Sequence, residues 1–405
     1  MRMTQVMASG VDVDITNFIG KHECADSPPS LFDENGQMRA TGSKATLVKA
    51  LKEETGVSDV SELLPGLSMA LIIDGMNCLR RWPFKKDVPF PEVAKRYQQQ
   101  LLLDVPSDTN TIHFCADRYV SNSLKTAERD HRASTLGTEI KKIYDVNDNY
   151  RTPEPKSFFK VSENKAALLN YLCENWVANE QNNPQLGAKK LYLAGGFNDA
   201  KKSVLLSNGC ITAVPDLESN QEEADTRMIL HAIYAAQNDD VKRIVVHAND
   251  TDVIVLSLYY YATYLKDLNL QEMWIRTQQD SYLPIHEMAN KLDNEICLAL
   301  PFIHTLSGRD ITSYPYFTGN KSWLQRSKEV ELDLIATFAE ENEFKLTDDI
   351  NNQARNLLIA VYSNAGDDSL FSSLEEIRAH KFLNKNNKGE ATLNGNNSPV
   401  LQRVK

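Results

Sequence analysis

The sequence predicts an α/β protein with a central, mostly parallel sheet flanked by helices. Three observations carry this. Continuous apolar runs recur along the chain as MALIID, TIHFCAD, KKLYLAGG and RIVVHAND, the texture of parallel strands buried on both faces. Segments of helical period separate them, and strands alternating with helices build parallel sheets. Acidic residues stand at the ends of these runs, where open α/β sheets keep their sites.

Taken in order, residues 1–67 form an N-terminal appendage. SPPSLFDENGQMR is turn-rich, and SKATLVKALKEETG is a short helix with Ser43 as cap and Gly56 as stop. Residues 68–300 form the α/β core. Its first strand, MALIID, ends in Asp74, and its helices include VAKRYQQQLL, LKTAERDHRASTLGTEIKKIY and NKAALLNYLCENW. Residues 301–379 turn helical through LALPFIHTLSG, SWLQRSKEVELDLIATFAEE and DINNQARNLLIAVYSN. Residues 380–405 are polar and rich in Asn and Gly, a composition that predicts disorder.

With 405 residues, 42% of them hydrophobic, the chain can bury a large core. It shows no apolar run of transmembrane length and no signal-peptide pattern at its start, so no membrane partner is expected. Six scattered cysteines without a CxxC pair suggest reduced thiols, hence the cytoplasm or nucleus. A net charge of −11 runs against a broad basic nucleic-acid face and leaves room only for a few well-placed cations.

Seven acids fall in five short motifs: Asp74 in LIIDGMN, Asp117 in HFCADRY, Glu223 and Asp225 in EEADTRM, Asp250 and Asp252 in HANDTDVIVL, and Asp310 in HTLSGRDITS. Each alone suits a turn or a helix cap. Asp225 also begins an apolar helical stripe through Ile229, Ala232, Ile233 and Ala236, while Asp250 and Asp252 share one face if their segment is extended. Together the acids make a set tolerable only with bound cations or shared protons, since a charge beside buried structure is costly. Hard carboxylate oxygens suit Mg²⁺ or Mn²⁺, and no His/Cys cluster argues for zinc. Two such ions support phosphodiester cleavage.

Cations accompany the acids. Lys125, Arg129 and Arg132 lie at i, i+4 and i+7 on one helical face, where Glu128 and Asp130 also permit a plain solvated surface. RRWPFKK brings Arg80, Arg81, Trp82 and Phe84 after Asp74, a group able to stack a base and hold phosphate or to pack at the surface. Gly319 and Lys321 open a basic helix start.

The order and spacing of these motifs resemble the PIN-like 5′ nuclease superfamily of flap endonucleases and XPG-type nucleases, over about residues 69–325. IIDGMN, ADRY, EADTRM, NDTDVIVL and HTLSGRDITS are most similar to an animal, mobile-element-associated group of PIN-like proteins. The resemblance implies two metal sites, one of Asp74, Asp117, Glu223 and Asp225, the other of Asp250, Asp252 and Asp310. It implies that Lys125 and Arg132, seven residues apart, contact the scissile phosphate. It also implies a helical clamp around Gly319 and Lys321, here with one glycine where the family has a GxG hairpin, which weakens the expected duplex grip. The expected function is thus a two-metal nuclease acting on DNA. A single-strand endoribonuclease and a non-catalytic nucleic-acid-binding scaffold are the alternatives.

Overall fold

The computed structural model describes residues 45–82, 84–119, 142–182, 185–199, 201–248, 250–277, 279–307, 319–338, 347–363 and 371–377. The predicted helix after Asp117, with Lys125, Arg129 and Arg132, lies outside the described residues, as do Ser43, Asp310 and the polar tail. The chain divides into two compact units, Thr55–Lys291 and a second made of Met1–Glu54 with Leu292–Lys405. The appendage is therefore split: helix α1 (Ala45–Thr55), stopped by Gly56 at φ +62°, groups largely with the C-terminal helices, while Val60 pairs with Tyr282 at the sheet edge. The boundary expected at residue 300 falls inside a helix, Asn294–Leu306.

The sheet unit holds β1 (Met69–Asp74), α2 (Gly75–Arg81), α3 (Phe90–Leu103), β2 (Thr109–Cys115), α4 (Pro155–Phe158), α5 (Ser162–Asn182), β3 (Lys190–Ala194), β4 (Ser203–Ser207), β5 (Cys210–Ala213), α6 (Ala224–Asn238), β6 (Arg243–His247), α7 (Thr251–Thr263), β7 (Glu272–Arg276), β8 (Tyr282–Pro284) and α8 (Ile285–Lys291). The eight strands run in the order β5-β4-β3-β2-β1-β6-β7-β8. The five from β3 to β7 are parallel to their neighbours, while β4, β5 and β8 add antiparallel edges. The chain moves outward from β1 through β2 to β3, then returns to the other side of β1 as β6. That reversal opens a crevice at the carboxyl ends of β1 and β6, the usual ligand position in such sheets.

Alternation along β1 assigns its two faces. Met69, Leu71 and Ile73 pack with Phe90, Val93 and Tyr97 of α3 and Leu168, Leu172 and Trp176 of α5. Ala70, Ile72 and Asp74 take the opposite face, which α6 covers. Small residues allow that close approach: Ala70, Ala232 and Ala235 are all fully buried. Phe84, a candidate base-stacking residue, is instead a core residue in edge contact with Phe90 and Phe158. Its apolar ring gains more from this aromatic cluster than from solvent. Cys78 and Cys115 are buried free thiols serving as small apolar filler.

Gly195, just past β3, sits at φ +80°, and a Cβ there would lie 2.5 Å from the Ala116 carbonyl oxygen and 3.1 Å from Arg227 Nε. Gly195→Ala is therefore expected to lower stability by about 1–3 kcal/mol. Urea unfolding checks this, and a parent-like midpoint would show that the crowding is relieved for nothing.

In the second unit, α9 (Asn294–Leu306), α10 (Asn320–Arg326), α11 (Asp333–Phe338) and α12 (Asp348–Tyr362) pack around Trp323, Leu324, Ile335 and Leu357. Thr347 caps α12 by accepting from the Ile350 N–H. Gly319 is the N-cap of α10 in extended conformation. Lys321 bonds Glu53 at 2.7 Å and Lys328 pairs with Glu54, so both cations are engaged by α1. The Lys321 pair is solvent-exposed, worth little and readily exchanged. His304 is buried in α9, as a structural histidine would be. No helix among the described residues is long and apolar enough to cross a membrane.

Candidate metal centre

Six of the seven predicted acids are described, and they converge at the carboxyl edge of the sheet. Asp74 ends β1 and caps α2, its Oδ1 accepting from the N–H groups of Met76 at 2.8 Å and Asn77 at 3.2 Å. Gly75 makes that turn possible, since a Cβ there would stand 2.7 Å from the Phe114 ring. Asp117, two residues past β2, accepts from the Ala224 N–H at 2.9 Å and so ties the β2 end to the first residue of α6. Glu223 is the N-cap of α6, and Asp225 lies in its first turn. Asp250 caps α7, accepting from the Asp252 N–H at 3.2 Å, and Asp252 follows in the first turn, 4% exposed.

The last pair takes the turn-and-cap form rather than the extended one. Asp250 and Asp252 open a helix, and their approach comes from N-cap geometry. Carboxyl oxygens of Asp225, Asp250 and Asp252 all lie within 4.8 Å of one another. At that separation two carboxylates repel by about 3 kcal/mol at an effective dielectric near 20.

The electrostatics extend the cluster to the other acids. Burial holds the Asp225 carboxyl well above the usual carboxylate range, and Asp250, Asp74, Glu223 and Asp117 push it further. Burial, then the charge of Asp117, raises Asp74 to about 7 against the pull of two backbone N–H bonds and Arg80. Asp225 is therefore the shared member. The resemblance implied Asp225 with Asp74, Asp117 and Glu223, yet its oxygen stands beside Asp250 and Asp252 while it remains coupled to the other three. The N-termini of α6 and α7 add favourable dipoles for anionic groups, too weak to neutralise six carboxylates. The donor set is all oxygen, and among the described residues no histidine or cysteine joins the close group. It fits Mg²⁺ or Mn²⁺.

The candidate cations divide. Arg80 is exposed at the end of α2 and acts electrostatically on Asp74. Arg81, expected to contact nucleic acid, is engaged elsewhere. Its Nη2 donates to both carboxyl oxygens of Asp280 at 2.7 and 2.9 Å, and its Nη1 stands 2.9 Å from His247 Nε2. Trp82 is half-buried, its Nε1 donating to Asp104 at 3.0 Å.

Two arginines at the centre escaped the sequence reading. Arg118 donates its N–H to Glu222 O at 2.8 Å and its Nη1 to Asn220 O at 3.1 Å. Arg227 is wholly buried on the sheet side of α6. The signal was there in part: Arg227 and His231 stand four apart among apolar residues of one helix, a polar interruption that invites explanation. The buried stripe is centred on Met228, Ala232 and Ala235, rotated from the one expected, so that Ile233 is only half-buried. No family model matches the chain, and a search of curated proteins finds no match either.

Proposed function

We propose that the protein is a divalent-metal-dependent nuclease that hydrolyses phosphodiester bonds, with DNA ahead of RNA as substrate. The observation that carries this reading is the convergence of Asp225, Asp250 and Asp252 within 4.8 Å, electrostatically joined to Asp74, Asp117 and Glu223. The mostly parallel sheet and the crevice at its switch point accord with the resemblance to PIN-like nucleases.

Asp225, Asp250 and Asp252 would hold one ion, and Asp74, Asp117 and Glu223, with Asp225 shared, the second. When bound, two such ions lower the pKa of a water and stabilise the leaving oxygen. The chain's own residues prepare the place. Backbone N–H groups fix Asp74 and Asp117, and Asp250 is oriented by the helix it caps. Asp74, near 7, releases its proton when a cation displaces it. Arg80, exposed beside Asp74, supplies positive charge for a phosphate. Lys125 and Arg132 are assigned the scissile phosphate, and the Gly319–Lys321 segment the duplex backbone, on the resemblance.

The test is cleavage of labelled flap, duplex and single-stranded DNA and matched RNA with Mn²⁺, using the parent, Asp225→Asn and Asp252→Asn. Both variants should lose cleavage by about 10²–10³-fold, the scale of a lost transition-state electrostatic contact. Parent-like cleavage in both would sink the metal assignment. Preference for RNA would select the endoribonuclease reading, and saturable nucleic-acid binding without cleavage or Mn²⁺ uptake the scaffold.

A further inference from the structure

Arg227 is 0% exposed, on the face of α6 that packs against the sheet. Its Nη2 donates to Gln221 O at 3.0 Å and Ser219 O at 3.5 Å, while Nε and Nη1 find no hydrogen-bond partner. Burying a guanidinium with donors unspent is costly, and an apolar side chain at this point of the stripe would avoid it. Burial lowers the Arg227 pKa and Arg118 lowers it further, with Cys115 and the Asp117 carboxylate acting the other way without cancelling them. Gly195 closes over Arg227, with space for a Cβ only 3.1 Å from Nε.

The two carbonyls it holds belong to the strap that carries Glu223 to the acidic centre. The same strap is gripped from the β2 side. Arg118 bonds Asn220 O and Glu222 O, and Asp117 accepts from the Ala224 N–H. Arg118 and Asp117 hold its outer edge, and Arg227 holds it from beneath. Between these grips stands Glu223, which acts electrostatically on Asp225, as Asp117 does.

We propose that Arg227 is a positioning residue of the acidic centre: by clamping the Ser219 and Gln221 carbonyls it sets where the Glu223 carboxylate stands. This rests on the metal-dependent reading. A guanidinium suits the task because its rigid plane fixes where Nη2 stands beneath both carbonyls, whereas an ammonium turns freely at the end of a flexible stem. The role therefore belongs to the fixed position of Nη2 rather than to the charge.

The experiment is a Mn²⁺ titration of the full chain, followed by the electron paramagnetic resonance of free Mn²⁺, with far-UV circular dichroism to confirm folding. The variants are Arg227→Met, Arg227→Lys, Glu223→Gln and the double Arg227→Met/Glu223→Gln. Loss of a group that orients a ligand typically weakens metal binding about 10–100-fold, which is expected for Arg227→Met and matched by Glu223→Gln. The double variant should bind no more weakly than the weaker single one, because Arg227 acts through Glu223. Arg227→Lys should stay weak, and it also carries the test if Arg227→Met does not fold. Parent-like affinity in Arg227→Lys, or additive losses in the double variant, would overturn the positioning role alone. A parent that takes up no Mn²⁺ would overturn the metal reading and this role with it.

Discussion

Asp225→Asn is expected to make the metal-free protein more stable while abolishing its response to Mn²⁺. Burial and four neighbouring acids hold the Asp225 carboxyl well above its ordinary range. The folded state therefore keeps a proton where the unfolded chain has lost it, so the parent loses stability as pH rises above the unfolded value near 3.9. Asparagine keeps the shape and removes the charge. At pH 8 the variant should gain about 1–2 kcal/mol over the parent, less than the close-range repulsion because the parent can also relieve it by taking up a proton. The gain should shrink as pH falls towards the unfolded value near 3.9, because the folded parent carries its proton there. Adding Mn²⁺ reverses the order. A ligand at 100 times its Kd stabilises by about 2.7 kcal/mol, which the parent should show and the variant lack. Thermal melts with and without Mn²⁺ at pH 8 read both halves. A variant weaker than the parent without metal, or two proteins responding alike to Mn²⁺, would contradict the crowding on which the site is built.

Some of this centre was readable because of how buried parallel strands are written. β1, β2, β3 and β6 are covered on both faces, so each appears as a continuous apolar run, and an acid at its end is conspicuous. β4 and β5 were missed for the opposite reason: β5 is largely exposed at the sheet edge, and its four residues carry no clear apolar alternation. The edge strand β8 has only three residues. The segment after Asp250 was ambiguous for another reason. TDVIVLSLYYYAT is buried nearly all round, so its helical period cannot be seen, and the turn chemistry of Asp250 alone favoured a cap over an extended pair. Arg227 and His231 were legible as interruptions of a stripe but not as contacts. His231 meets His113, which is 118 residues away, and no local pattern carries that pairing.

That pairing governs the second large effect, an acid-side loss of stability that His231→Gln should remove. His113 and His231 are both 0% exposed, with their Nδ1 atoms 2.9 Å apart, so one ring must donate and the other accept as neutral imidazoles. His113 is also stacked on Tyr192 at 4.3 Å, which leaves no room for the pair to turn away and hydrate. Burial, then Arg227, depresses His231 to about 3. Burial, then His231 and Lys190, holds His113 well below its ordinary value. Burial, then Arg276 and Arg81, brings His247 to about 4. For each group the unfolded state binds a proton below pH 6.5 that the folded state refuses, so stability falls as pH drops from 6.5 towards the folded value. By pH 4 His231 and His247 each remove about 3 kcal/mol, against a total stability on the order of 5–15 kcal/mol for a domain. Asp74 and Asp225 work in the opposite sense. Asp74, raised to about 7, and Asp225, held well above its ordinary range, each bind a proton in the folded state and return stability as pH falls towards 4, two groups against three. In the metal-free protein His231→Gln should therefore remove an acid-side loss of about 1.4 kcal/mol per pH unit between pH 6.5 and 4. Urea midpoints measured across that range decide it. Equal slopes in parent and variant would mean that the buried imidazole pair takes up its proton without unfolding, and that α6 is not held to β2 by the neutral rings.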